Sequence, residues 1–268
     1  MAENNMRSAW NEISKSYQER YKIGISKMHW GPLCPDEDSL QLLGDVSGKK
    51  IIEIGGGAGQ NSMVLARKQA ISTIFDISDK QLSHGVALAN EEGLAVKFAQ
   101  GDFEKIGNYF QPNTFDIGFS VYALQYCKTN ASMEETFNQI YGILKEGAVF
   151  AFSLDHPVRT IGYWDKKSDR FILDNYFDRS EKEWNYEFPE TGTSARMVGA
   201  FRTISDIVNA VINAGFTLEK LLEPEPIKYD INTNFGKTSK YGLENKRDPY
   251  SFNHLSRIPG TLIIKTRK

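Results

Sequence analysis

A glycine-rich turn, an acid on either side of it in the fold and a histidine further along are the groups in this chain whose types and spacing could do chemistry. Glu53 lies in the apolar run Lys50-Ile51-Ile52-Glu53-Ile54, which leads straight into Gly55-Gly56-Gly57-Ala58-Gly59-Gln60. Glycines at a strand-to-helix turn let a ligand approach the backbone closely, because no Cβ stands in the way. The spacing is G-x-G-x-G; the dinucleotide fingerprint G-x-G-x-x-G would need its last glycine at Gln60. Asp76 ends a second apolar run, Thr73-Ile74-Phe75-Asp76-Ile77-Ser78. At a strand end a carboxylate can accept hydrogen bonds from both hydroxyls of a ribose. His156, in Ser153-Leu154-Asp155-His156-Pro157, sits just past another apolar run. There it could act as a general base, contact an acceptor or order the turn before the proline.

The elements that must position these groups follow from hydrophobic periodicity. Trp10, Ile13, Tyr17 and Tyr21 recur at spacings of three and four, which predicts a helix over Ser8 to Tyr21. A loop through Trp30-Gly31-Pro32-Leu33-Cys34-Pro35 and a short helix from Asp36 to Leu43 come next. The pattern then alternates: strand 50–54, helix 61–69, strand 72–75, helix 79–92, strand 96–99, strand 115–120, helix 133–144 and strand 148–154. Such alternation predicts an α/β fold with a mostly parallel sheet covered on both faces. After Pro157 it stops, and the stretch to Gly199 reads as an insertion rich in aromatic and charged residues. A helix from Ile204 to Ala214 ends at Gly215, followed by a strand over Phe216 to Leu222, a polar loop over Tyr229 to Pro259 and a last strand from Gly260. Two terminal strands without a helix between them predict an antiparallel pair at the sheet edge.

In this setting Glu53, Gly55, Gly57 and Gly59 match in register the first motif, E/D-x-G-x-G-x-G, of the class I, Rossmann-like S-adenosylmethionine-dependent methyltransferases, which the chain resembles. The likeness is to their small-molecule, type 11-like branch. Gly101-Asp102-Phe103 resembles the motif that packs on adenine, with Asp102 placed to accept from the exocyclic amine and Phe103 to touch the ring. Phe115 to Ser120 and the following Val121, Tyr122, Ala123 and Leu124 match the fourth strand and the segment on the methionine side. Leu144-Lys145-Glu146-Gly147 resembles the family's L-K-P-G turn, with Glu146 where proline is usual. Gly56 stands where many relatives carry cysteine, a place expected to tolerate small residues.

The resemblance implies a seven-stranded mostly parallel sheet with an antiparallel last strand, and S-adenosyl-L-methionine as cofactor, leaving S-adenosyl-L-homocysteine. It implies that Glu53, Gly55, Gly56, Gly57, Gly59 and Asn61 hold the cofactor around the turn. Asp76 takes the ribose with Ile77 and Gln81 near it, Gly101, Asp102 and Phe103 take the adenine, and Ser120, Val121 and Tyr122 lie along the methionine side. The N-terminal helix is expected to close over the cofactor, with Tyr17, Tyr21 and Trp30 either touching it or packing on the core. Acceptor candidates are Tyr122, Tyr126, His156 and Arg202; Arg159 and Arg196 are further cations able to meet an acidic substrate, and His29, His84 and His254 have weaker claims as bases.

Methyl transfer is an in-line displacement at a sulfonium carbon, so alignment and exclusion of water do much of the work and a base is optional. The segments 157–199 and 229–259 fall where the family builds its acceptor pocket, and their aromatic residues suit an apolar cavity or a homodimer interface. No N/D-P-P-Y tetrapeptide follows the fourth strand, where Ser120-Val121-Tyr122-Ala123 stands, which argues against nucleobase methylation.

Composition narrows the class further. At 268 residues with 40% hydrophobic and 25% charged residues, the chain can bury a sizeable core as one methyltransferase domain: a helical lid over 1–44, a cofactor core over 45–156 and the two insertions. A formal net charge of -2 gives no global attraction for nucleic acid, and no nucleic-acid partner is expected. Cys34 and Cys127 show neither metal-ligand spacing nor a disulfide framework, so no metal is expected and a reducing compartment fits. The N-terminal sequence lacks the apolar core of a signal peptide and no run is long enough to span a bilayer, so the expectation is a cytoplasmic enzyme acting on a small molecule. A non-catalytic cofactor-binding module and an RNA or protein methyltransferase are the alternatives.

Overall fold

The computed structural model describes residues 3–165, 167–228 and 252–268. Its centre is a sheet in the order β10-β11-β5-β4-β1-β2-β3. The strands are β1 (Lys50–Ile54), β2 (Ile71–Asp76), β3 (Lys97–Gln100), β4 (Phe115–Val121), β5 (Leu144–Asp155), β10 (Thr217–Leu222) and β11 (Thr261–Arg267). β1 to β5 pair in parallel, and β11 runs antiparallel to both β5 and β10. The antiparallel last strand is as expected, but it is inserted between β5 and β10, with β10 at the edge.

Parallel strands covered on both faces need apolar residues facing both ways, and the alternation within each strand sorts them. Ile52 and Ile54 face one core while Ile51 faces the other. In β5, Phe150, Phe152 and Leu154 join the first core and Ala151 the second. The first core is closed by Phe137 and Ile140 of α5 (Asn130–Ile143) and by Ile207 and Val211 of α7 (Ile204–Asn213). The second is closed by Val64 and Leu65 of α3 (Gln60–Arg67) with Trp30, Leu42 and Leu43. Helix starts are chemically marked: Ser78 caps α4 (Asp79–Glu91), and Thr129–Ser132 and Thr203–Asp206 form capping boxes on α5 and α7.

The N-terminal helix, α1 (Glu3–Tyr21), begins before the expected Ser8, and the short α2 (Glu37–Leu40) stops at Gln41, which is left-handed at φ +48°. β5 starts at Leu144, so the Leu144-Lys145-Glu146-Gly147 segment bends inside the strand at Gly147, φ +74°, instead of forming a separate turn. The larger departure lies in the 157–199 insertion. After the short α6 (Pro157–Thr160) it forms two hairpins, β6 (Gly162–Asp165) with β7 (Arg170–Leu173) and β8 (Glu181–Phe188) with β9 (Thr193–Ala200). Residues 229–251 of the polar loop lie outside the described residues; α8 (Phe252–Leu255) follows them, with His254 stacked on Trp164 at 4.3 Å between ring centroids. Among the described residues no helix is long and apolar enough to cross a membrane.

Phe150 is fully buried and packs on Phe137, Phe152 and Phe216, at the point where β5, α5 and the strand-leading Phe216 converge. Phe150→Ala is expected to cost about 3–5 kcal/mol of stability through lost transfer energy and a cavity, read as a lower midpoint in urea denaturation.

Candidate active site

The turn between β1 and α3 is folded by its glycines. Gly55, Gly57 and Gly59 have φ of +67°, +57° and +75°, a region that other residues rarely adopt. A Cβ on Gly55 would stand 2.2 Å from Cβ of Ala123, and one on Gly59 2.6 Å from Cγ1 of Ile74. These two glycines let neighbouring elements close up. Around a Cβ on Gly57 there is nothing within 4 Å, so its bare face is the cradle left for a ligand. Gly56 departs from expectation: a Cβ there would lie 2.8 Å from Cγ of Glu53, so even a small side chain would displace the acid behind the turn.

The three acids surround this cradle at the carboxyl ends of β1, β2 and β3. Asp76 accepts from the backbone N–H of Gly57 at 2.7 Å on Oδ2 and of Ser78 at 2.8 Å on Oδ1. A carboxylate has about four lone-pair sites, so with Gly57, Ser78 and Ile77 donating to it Asp76 keeps acceptor capacity for a ligand hydroxyl. Burial pushes its pKa up, and the backbone donors pull against that shift. Glu53 is buried behind the turn and accepts from the N–H of Ser62 at 3.1 Å, and its carboxyl is pushed up to about 7 by desolvation. Asp102 caps the 3-10 turn Phe103–Asn108 through the N–H of Glu104 at 2.9 Å and borders the same space.

From the cradle one cleft of about 1480 Å³ runs toward the end of β5 and the second hairpin. α1 and β8 roof it. Tyr186 and Phe188 of β8 meet Trp10, Tyr17 and Tyr21 of α1 in a lattice of edge-on rings, and Tyr126 bridges Trp10 to Trp184, on which it stacks. The Tyr21 and Tyr186 hydroxyls are 2.6 Å apart, and Arg20 reaches Glu190 on the connection between β8 and β9 at 2.5 Å. On its other side α1 is tied to the core, with Asn11 donating to Asp79 and Gln18 to Gln81 at 2.9 and 2.7 Å. The Tyr17 and Tyr186 phenols are held neutral by burial, their pKa values driven upward.

Of the expected cofactor residues, Tyr17, Tyr21, Glu53, Gly55, Gly56, Gly57, Asn61, Asp76, Ile77, Gln81, Asp102, Phe103, Val121 and Tyr122 all line this cleft, as do the acceptor candidates Tyr126 and Arg202. Tyr122 is held left-handed at φ +56°, its ring over the bare face of Gly31 and its hydroxyl 2.6 Å from Oγ1 of Thr261. A bulky residue at positive φ stores strain that its surroundings must hold.

Four expected cofactor residues stand behind the wall. Trp30 is fully buried, its indole N–H donating to Glu37 at 2.9 Å, so it is core and not cofactor contact. Ser120 donates to the carbonyl of Ile54 at 2.8 Å and pins β4 to β1. Gly59 caps α3, and Gly101 admits the rings of Phe75 and Tyr109. His156 is also displaced from its expected role as base. It is 1% exposed, its Nδ1 accepts from the N–H of Val158 at 3.2 Å, and its Nε2 therefore donates to Glu223 at 2.7 Å. Desolvation lowers its pKa, and both nitrogens are committed, Nδ1 to capping α6 and Nε2 to Glu223 after β10.

The side chain at the end of β5 that reaches the cleft is Asp155, bonded to Arg159 and Gln125. His29 lines the cleft too, with its backbone N–H on Asn61 Oδ1 at 3.0 Å and its imidazole driven down to about 4 by burial, hence neutral at neutral pH. Arg196 does not line the cleft but pairs with Glu183, which does.

Residues 51–147 match the family model described as a methyltransferase domain. A protein of Geobacillus sp. (strain WCH70) that carries a provisional methyltransferase name is 23% identical over 151 residues, 56% of this chain and 57% of its own length. The chain is 32% identical to a sterol 24-C-methyltransferase of Gibberella zeae over 111 residues, 40% of this chain and 28% of the relative. The chain thus spans little more than half of the first relative and less than a third of the second. In structure it resembles an S-adenosylmethionine-dependent methyltransferase of Mesorhizobium loti, TM-score 0.64 at 20% identity, covering 85% of this chain and 95% of that one.

Because the carboxyl of Glu53 is raised above its ordinary 4.5, the folded protein binds the extra proton between about pH 4.5 and about 7. The stability it contributes is present below that window and lost as pH rises through it. Glu53→Gln should therefore gain stability relative to the native chain between pH 5 and 8. Melting temperatures of both proteins across that range check this; a constant difference would assign Glu53 an ordinary carboxyl.

Proposed function

We propose that the protein is an S-adenosylmethionine-dependent methyltransferase that methylates an O, N or C atom of a small molecule, a reading supported by the methyltransferase-domain match over residues 51–147 and by the Rossmann-like fold. The observation that carries this reading is the continuity of the cleft from the glycine cradle to the aromatic roof. Its volume of about 1480 Å³ exceeds the roughly 300–1,000 Å³ of a single-ligand pocket, which gives room for a cofactor and an acceptor side by side.

Gly57 and Asp76 fit the ribose and the adjoining chain of the cofactor, Asp102 and Phe103 the adenine, and Asn61 and His29 the methionine side. Bound there, S-adenosylmethionine supplies a methyl group on a sulfonium, already a good leaving group. The chain's own residues then align the acceptor and keep water out. α1 and β8 do the second, since their rings cover the cleft and bury the Tyr21 and Tyr186 hydroxyls against each other. A roof of this kind favours a small acceptor over a polymer, and the sterol relative's small-molecule acceptor supports the same choice. Asp155, not His156, is the polar group at the end of β5 that an acceptor would meet.

Isothermal titration with S-adenosylmethionine and S-adenosylhomocysteine should show saturable binding in the micromolar range, about -8 kcal/mol. Asp76→Ala should weaken both by about ten- to a hundredfold, the loss expected for hydrogen bonds to a charged acceptor. Unchanged affinity would remove Asp76 from the site. His156→Asn should lower the melting temperature yet leave cofactor affinity in place, and, once an acceptor is found, the pH profile of turnover; a changed profile would restore His156 as a base.

A further inference from the structure

Arg159, Lys182 and Arg202 are among the cations that line the cleft away from the glycine turn. Arg159 is neutralised by Asp155 and Lys182 by Asp178. Arg202 differs. It is 6% exposed, and among the described residues no carboxylate is paired with it. Nη1 donates to the carbonyl of Ala200 at 3.0 Å, and Nη2 to those of Cys127 and Thr129 at 2.5 and 2.8 Å, while Nε has no hydrogen-bond partner. Carbonyl dipoles solvate a cation without cancelling its charge. Burial pulls the pKa of the group down, but an arginine does not shed its proton in a protein. Glu104 and Asp206 act on it only through space, and a buried charge with no bonded counter-ion and an unmet donor are both costly, so such a group calls for an explanation.

Its surroundings supply one. Nη1 lies 3.5 Å from the carbonyl of Gln125, which places the guanidinium beside Tyr126, whose ring stacks on Trp184 at 6.0 Å and 25°. Phe201, next in the chain, also lines the cleft. The far end of the cleft therefore holds, beside carboxylates such as Asp155 and Glu183 that are paired with arginines, a guanidinium with no bonded carboxylate next to flat apolar rings.

We propose that Arg202 receives a carboxylate of the acceptor, so that the molecule methylated is a small aromatic or apolar acid, not a neutral lipid or an amine. The proposal rests on the methyltransferase reading and narrows it to a substrate class. A guanidinium meets a carboxylate through charge-assisted bonds about twice as strong as neutral ones, and a neutral amide of the same shape forfeits them.

The test uses the full chain saturated with S-adenosylhomocysteine, titrated with benzoate, phenylacetate and indole-3-acetate and with the primary amide of each. At least one acid should bind about tenfold or more tighter than its amide. Arg202→Gln should bring that ratio to within about twofold, and Arg202→Lys should keep part of it, with S-adenosylhomocysteine affinity unchanged in both. Should the glutamine variant fail to fold, the native ratio and the lysine variant decide. Amides binding as well as acids, no binding of either set, or a ratio that survives Arg202→Gln would overturn the proposal. Failure of S-adenosylhomocysteine to bind the native chain would instead overturn the methyltransferase reading beneath it.

Discussion

The backbone N–H of Gly57 donates to Asp76 at 2.7 Å, and the N–H groups of Gly55 and Gly56 donate to the carbonyl of Phe75 at 2.8 and 3.2 Å. These bonds fasten the turn after β1 to the end of β2. They form only because the turn lies flat on its neighbours, with Ala123 against Gly55 and Ile74 against Gly59. The cradle at Gly57, the bearing of Asp76 and the start of α3 all follow from that close approach. So does the burial of Glu53, which is trapped behind the turn and answered by the N–H of Ser62.

Around this fixed end the rest of the cleft is assembled from parts distant in sequence. β4 contributes Val121, the residue after it is the strained Tyr122, β5 contributes Asp155, and the segment after β9 contributes Arg202. The roof is made by α1 and β8, whose contacts are ring edges and paired hydroxyls. The glycine end thus rests on backbone geometry that only the absence of side chains at Gly55 and Gly59 and the carboxylate of Asp76 allow, whereas the other end rests largely on side chains of an insertion. A fold common to many activities is free to vary at the second without disturbing the first.

The core was legible because strands buried on both faces read as unbroken apolar runs, as at 50–54 and 115–120, and because glycine spacing carries its own conformational meaning. The second hairpin was legible in principle: Glu181-Lys182-Glu183-Trp184-Asn185-Tyr186-Glu187-Phe188 alternates with period two, but its inward face mixes a lysine with aromatics and hides the hydrophobic signal. His156 was misplaced by one residue. Neighbours at a strand end point opposite ways, so Asp155 enters the cleft while His156 turns behind it toward Glu223, 67 residues on, a partner that no local pattern announces. Trp30 shows the reverse case, since its indole partner Glu37 is only seven residues away, yet an aromatic in a loop carries no mark of which side of the chain it will face.

α1 belongs to two structures at once. Its Asn11 and Gln18 side chains are bonded to the cofactor core, while Arg20, Tyr21 and Ser16 are bonded to residues of the β8–β9 hairpin some 165 to 177 positions away. Helix and hairpin are therefore one heritable unit, although the chain writes them at separate places. A chimera that took its hairpin from a relative and kept this helix would break the Tyr21–Tyr186 and Arg20–Glu190 partnerships, even if every core residue were retained. To move an acceptor preference from one such protein to another, both segments have to be transplanted together.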